Sequence, residues 1–191
     1  MVDNSFAAKY LAAPKCVLAV VLMLIIGLLG QVGTSHAQPA PTPGAGDLTI
    51  SGDVDEPVSF SPESLRTLPS RVESVTFRAG SEMQTHSYLG VPVDVLIGSA
   101  QPHLSAGTKH PDITLAVVAT GADGYSVALS WAEISPALAP RPALVAWSED
   151  GTPLTEARLV LPDDLTGARY VSALTDLKVV QLASHRGGTQ P

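Results

Sequence analysis

The stretch Tyr88-Leu89-Gly90-Val91-Pro92-Val93-Asp94-Val95-Leu96-Ile97 constrains the fold of this chain more than any other. It reads as the end of a strand, a tight glycine turn and a short helix opened by a proline. Glycine takes a positive φ at no steric cost. Proline suits a first helical turn, where its missing N–H would have no partner. Val93, Leu96 and Ile97 then fall at i, i+3 and i+4 and make one apolar face. The segment drops a helix from a strand onto a core.

The amino terminus has a different character. Lys9 and Lys15 make a basic start, Cys16 to Leu29 is apolar apart from Gly27, and Ser35-His36-Ala37 has the small-x-small form of a cleavage site. These three parts make residues 1–37 a secretory signal peptide. The other reading is an uncleaved anchor: the run is shorter than the ~20 residues of a spanning helix, but Leu11 to Leu29 with its flanks approaches that length. No twin arginine accompanies it, so the general secretory route is expected. The protein is expected to be secreted or extracytoplasmic, in the cell envelope, and to touch a membrane only if the signal stays uncleaved.

Cleavage removes one acid and two bases and takes the net charge from −7 to −8. An acidic surface argues against nucleic acid and anionic lipid as partners. The single cysteine, Cys16, leaves with the signal. The mature chain then has no disulfide, thiolate metal ligand or cysteine nucleophile, and core burial alone must hold it together.

Residues 38–46 (Gln-Pro-Ala-Pro-Thr-Pro-Gly-Ala-Gly) read as an extended, mobile linker. A domain over 47–183 follows, then a disordered tail over 184–191. Leu48 to Gly52 alternates as a half-buried strand does, and Val58-Ser59-Phe60 is a second short strand. Ser61-Pro62-Glu63 opens a helix with a cap, a proline and an acid in the first turn. Leu65 and Leu68 face inward, and Pro69 stops the helix. Val72 to Phe77 and Gln84 to Tyr88 pair as a hairpin around Gly80-Ser81-Glu82. After a polar loop over Gln101 to Pro111, Ile113 to Ala119 reads as a strand buried on both faces. Asp123-Gly124 is a hairpin turn before the strand Tyr125 to Leu129. Ser130-Trp131-Ala132-Glu133 is a capping box on one helical turn. Ala143 to Trp147, Arg158 to Pro162 and Tyr170 to Leu182 are strands. No internal repeat is present. The class is α+β, mostly β in mixed sheets, with three short helices.

In order and spacing these pieces resemble the molybdopterin-binding domain of the sulfite oxidase family, especially its short, exported members. The likeness covers about Leu48 to Val180. It is carried by Leu48-Thr49-Ile50-Ser51-Gly52, Phe60-Ser61-Pro62-Glu63-Ser64-Leu65, Tyr88-Leu89-Gly90-Val91-Pro92-Val93 and Asp123-Gly124-Tyr125-Ser126-Val127. Leu144 to Trp147 with Asp150-Gly151-Thr152-Pro153-Leu154, and Arg158-Leu159-Val160-Leu161-Pro162, complete it. The resemblance implies a sulfite-oxidase-type fold that holds a pterin-bound molybdenum. In the family, a cysteine in the loop after the strand matching Val72 to Phe77 ligates the metal. Here that region reads Phe77-Arg78-Ala79-Gly80-Ser81-Glu82. Soft metals want soft ligands, and Ser81 is a poor substitute. No cofactor is therefore expected, with molybdopterin implied by the resemblance alone.

Four residues are candidates for a cofactor-type pocket. Arg78 stands in the loop matching the lost ligand loop and would hold an anion by bidentate hydrogen bonds; the alternative is a surface ion pair with Glu73 or Glu82. His86 lies in the hairpin where the resemblance brings a pterin close. Asp123 and Tyr125 form a turn that the family sets near its pocket, or else Asp123 makes the turn and Tyr125 packs on the sheet. His103, His110 and His185 read as solvated histidines, and Trp131 and Trp147 as core packing. A basic cleft of Arg78, Tyr125 and Arg158 or Arg169 would mark a retained cofactor site. A filled cleft would mark a domain that has lost it. Without the thiolate, the chain reads as a binding or interaction module for a protein or small anionic ligand. The alternative is a molybdopterin-dependent oxidoreductase with an atypical ligand set.

Overall fold

Among the described residues nine strands build two sheets, and their order follows from where the apolar residues alternate. The structure is a computed structural model that describes residues 44–104 and 109–182. The signal peptide, most of the linker and the carboxy-terminal tail expected from the sequence lie outside these residues. At the linker's end, Gly44 to Asp47 closes a turn in which Asp47 N–H donates to Gly44 O at 3.2 Å, where an extended chain was expected.

The first sheet contains β1 (Leu48–Gly52), β2 (Val58–Phe60), β5 (Leu115–Gly121), β6 (Ser126–Ser130) and β9 (Leu174–Gln181). Its spatial order is β2-β1-β9-β5-β6. β1 and β9 run parallel, with Ile50 opposite Leu177, and the other pairs are antiparallel. Leu48, Ile50, Val117, Ala119, Leu177 and Val179 point from these strands into the main core, all fully or almost fully buried.

The second sheet contains β3 (Arg71–Ala79), β4 (Glu82–Pro92), β7 (Leu144–Glu149) and β8 (Thr152–Val160), antiparallel in the order β3-β4-β7-β8. It is buried on both faces at β7 and at the adjoining ends of β4 and β8, while β3 keeps one face exposed. Val145 and Leu159 join the main core, while Leu144, Ala146 and Val160 join Val75, Phe77 and Tyr88 in a second cluster. Residues 161–171 form a strap that meets both edges of this sheet. Arg78 bridges to Thr166 at the β3 edge, and Leu159 bridges to Val171 at the β8 edge. Tyr170 packs from the strap against Phe77, tilted 51° at a centroid distance of 4.8 Å, and meets Tyr88 edge-on at 6.3 Å. The sheet therefore curls around its second cluster. The exposed edge of β3, a template for unwanted pairing, is blocked by Leu165 O, which accepts from Arg78 N–H, and by Arg141, which donates to Ser74 O.

Three helices complete the domain: α1 (Pro62–Thr67), α2 (Val93–Ser99) and α3 (Trp131–Ile134). Ser61 caps α1 by accepting from Ser64 N–H at 3.2 Å. Glu133 reaches back to Ser130 N–H at 2.8 Å in the capping box of α3. Val93, Leu96 and Ile97 of α2 are fully buried, as their spacing predicts. Among the described residues no helix is long and apolar enough to cross a membrane.

Several expectations are corrected. Gly90 forms no tight turn and has no positive φ: it lies inside β4, at a bulge opposite Ala146. The loop expected after Phe77 is a continuation of β3 to Ala79, closed by Gly80 and Ser81 alone, because Ala79 pairs directly with Glu82. Ile113 lies in a 3-10 turn over Pro111–Thr114 and is exposed, and β5 alternates buried and half-buried instead of burying both faces. The final strand begins at Leu174, since residues 167–171 belong to the strap. β8 begins at Thr152, earlier than the apolar run at Arg158 indicated.

Candidate functional site

The strap and the β3–β4 hairpin enclose an open cleft of about 520 Å³ lined by Phe77, Arg78, Ala79, Gly80, Thr166, Gly167 and Ala168. Its floor is aromatic. Phe77 points inward from β3, and a Cβ added at Gly167 would lie 3.0 Å from the Phe77 ring, so the strap backbone rests directly on that ring. Arg78 alternates outward and is exposed.

The four candidate residues do not converge equally. Arg78 lines the cleft. Tyr125, 48% exposed, donates its hydroxyl to Ala168 O and so ties the β5–β6 hairpin to the cleft wall. His86 lies one ring removed, with its centroid 5.9 Å from that of Phe77. Asp123 does not line the cleft; it accepts Tyr125 N–H at 2.9 Å and shapes the turn. The sequence reading missed Thr166, Gly167 and Ala168. Their signal was a polar, glycine-containing break between two apolar runs, which marks a turn but no ligand.

The expected pairing of Arg78 with Glu73 or Glu82 does not form. Glu73 accepts instead from Arg141 Nε at 2.7 Å and lies 3.6 Å from Arg71 Nε. Arg158 donates to Glu149 at 2.7 Å, and Arg169 is held by Asp164 and Glu133. Arg66 sits over the Trp147 ring at 5.9 Å. Among the described residues Arg78 has neither a carboxylate partner nor an aromatic face. The basic cleft that would mark a retained cofactor site does not form, since neither Arg158 nor Arg169 lines it, and the cleft is not filled either.

Behind Phe77 lies a polar network. His86 Nδ1–H donates to Asp150 Oδ2 at 2.8 Å and also lies 3.4 Å from Glu149. A carboxylate only accepts, so Nδ1 carries the proton. Asp150 also accepts Ser87 N–H, and the two interactions hold its carboxyl below the usual range. Tyr88 donates to Glu149 at 2.9 Å; burial, and then that carboxylate, push its hydroxyl up to about 12. Tyr88 stays a neutral donor in this network.

A metal bound through the protein does not fit this donor set. No cysteine lies among residues 44–182. Among the described residues no group of three His, Cys, Asp and Glu side chains is placed to hold a metal ion. Four of the described arginines are already neutralised by carboxylates, so an anionic cofactor tail would have to displace them.

The strap's far anchor is Arg169. It donates to Asp164 at 2.9 and 2.5 Å and to Glu133 at 2.6 Å. Burial alone would raise the Glu133 carboxyl, but Ser130 and Arg169 overcome it and hold it below its ordinary value of 4.5. A carboxyl lowered on folding contributes stability that is present above its unfolded value and is lost as pH falls through the folded one. Arg169→Met is therefore expected to cost about 1–2 kcal/mol at pH 7, a figure reduced for partial exposure. Urea unfolding should show the variant and the wild type converging below pH 4.5. A gap that persisted into acid would show that Arg169 acts through packing instead.

No family model and no curated protein matches this chain. Among solved structures it is similar to the sulfane dehydrogenase SoxCD from Paracoccus pantotrophus, with a TM-score of 0.58 and 19% identity. The match covers 72% of this chain and 39% of that one, so this chain spans well under half of its neighbour's length. The likeness assigns the fold: α+β, mostly strand, of the sulfite-oxidase type.

Proposed function

We propose that this chain is an exported, non-catalytic binding module that uses a sulfite-oxidase-type fold without a protein-ligated metal. Its cleft takes a small anionic ligand or an acidic group of a partner protein. One observation carries this reading. Among the described residues Arg78 is left without a counter-ion at the mouth of an open cleft, whereas Arg71, Arg141, Arg158 and Arg169 are paired with carboxylates elsewhere in the domain. Guanidinium groups favour planar oxyanions, which they grip with two parallel N–H donors. The domain, from about residue 47 to 183, would work outside the cytoplasm after residues 1–37 direct its export.

A second reading, a molybdopterin-dependent oxidoreductase with a cysteine-free ligand set, is favoured by the likeness to a sulfane dehydrogenase. One preparation tests both. Purified full-length protein is expected to carry substoichiometric molybdenum and no pterin fluorescence. A titration with inorganic sulfate and acetate should shift the NMR signal of Arg78 Nε–H saturably, and Arg78→Gln should abolish the effect. Stoichiometric molybdenum would establish the second reading, and a wild-type protein indifferent to both anions would sink the first.

A further inference from the structure

On the other side of the strap, α3, residues 138–143 and residues 161–164 enclose a separate pocket of about 210 Å³. We propose that it receives one basic side chain, arginine or lysine, from a partner protein. At ~30 Å³ per water the pocket holds about seven waters. That is small for a cofactor, since ligand pockets run from ~300 Å³ upward, but sufficient for one long side chain.

Its walls match such a side chain in both parts. Leu138, Pro140, Ala143 and Leu161 supply apolar surface for a methylene stem. Leu138 is 48% exposed at the rim. Long basic side chains bury their stems on such surface and keep the charged head at a polar edge. The head would meet Asp163, whose side chain is 56% exposed.

Asp163 is poorly paired. Its nearest cation, Arg141 Nη1, is 3.6 Å away, beyond a hydrogen bond. Arg141 meanwhile donates to Glu73, Pro162 O and Ser74 O. Arg169 is saturated by Asp164 and Glu133. The charged side chains lining the pocket are Glu133, Asp163 and Asp164 against Arg141 and Arg169, an excess of one negative charge. An anion would meet that excess, whereas a cation offsets it. The sequence's net charge of −7 adds a long-range field of the same sign. This site lies apart from the Arg78 cleft and stands independently of the function proposed there.

The probes are N-acetyl-arginine methylamide and its neutral isostere, N-acetyl-citrulline methylamide, added to the full chain with methyl-labelled leucine. The arginine probe should shift the methyl signals of Leu138 and Leu161 saturably at millimolar concentration. Citrulline should bind at least fivefold more weakly, and rising salt should weaken arginine alone. Asp163→Asn should lower arginine affinity at least fivefold, while Asp163→Glu retains it. Equal binding of the two probes, or no saturable shift, would overturn the proposal. That comparison uses the wild type only, so it decides the matter even if the Asp163 variants fold poorly.

Discussion

Gly90→Val is expected to destabilise the domain by about 3 kcal/mol or more, at the upper end of overpacking effects. A Cβ at Gly90 would lie 2.2 Å from Val145 O and 2.6 Å from Ala146 Cα. Both are backbone atoms of the neighbouring strand, so no rotamer change relieves the contact. Either β4 and β7 separate at the bulge, or Val91 and Val145 leave the core on either side of it. At ~2–4 °C per kcal/mol for a chain of this size, the melting temperature should fall by on the order of 10 °C. Gly98→Ala is the matched control. Gly98 is an exposed residue of α2, and a Cβ there would meet nothing within 4 Å. Alanine should therefore stabilise the helix by about 0.5–1 kcal/mol. Thermal unfolding followed by circular dichroism measures both. A Gly90→Val protein that melted with the wild type would show that the strands do not approach this closely.

The same residue shows how far the sequence carries. That Gly90 must be glycine was legible, but the reason was not. A glycine between a strand and a proline-led helix reads locally as a turn, whereas the requirement comes from a strand more than fifty residues away. The sheets and helices were otherwise readable, because alternation at Leu48–Gly52 and the i, i+3, i+4 spacing of α2 are local properties. Ile113 failed for the opposite reason: β-branched and apolar, it resembled a strand residue, but Pro111 starts a 3-10 turn there. At the site, Arg78 was identified for its position and Tyr125 for its turn. Their surroundings depended on the strap, which contributes Thr166, Gly167 and Ala168 through long-range packing that no short motif announces. Charge pairing was also hidden. The partner of Glu73 proved to be Arg141, far along the chain.

Phe77→Ala is expected to cost about 3–4 kcal/mol, within the range for deleting a buried aromatic ring. It should also disable the cleft. Phe77 is 8% exposed and lies against the Tyr170 ring at 4.8 Å, the His86 ring at 5.9 Å and the backbone at Gly167. Removing the ring takes away the strap's apolar support and leaves its polar ties: Arg169, the Tyr125 hydroxyl, the Arg78–Leu165 hydrogen bond and the bridge from Val171 to Leu159. Thr166 to Ala168 should then move, and anion binding at Arg78 should weaken more than the loss of global stability alone explains. Val72→Ala, on the same strand but 65% exposed, should stay within about 0.5 kcal/mol of wild type. Coupling to the strap can be measured directly. Gly167→Ala brings its methyl within 3.0 Å of the ring, so it should be costly in the wild type and nearly neutral beside Phe77→Ala. Additive losses in that double-mutant cycle would mean that the strap does not rest on Phe77. The cleft would then need another support for its shape.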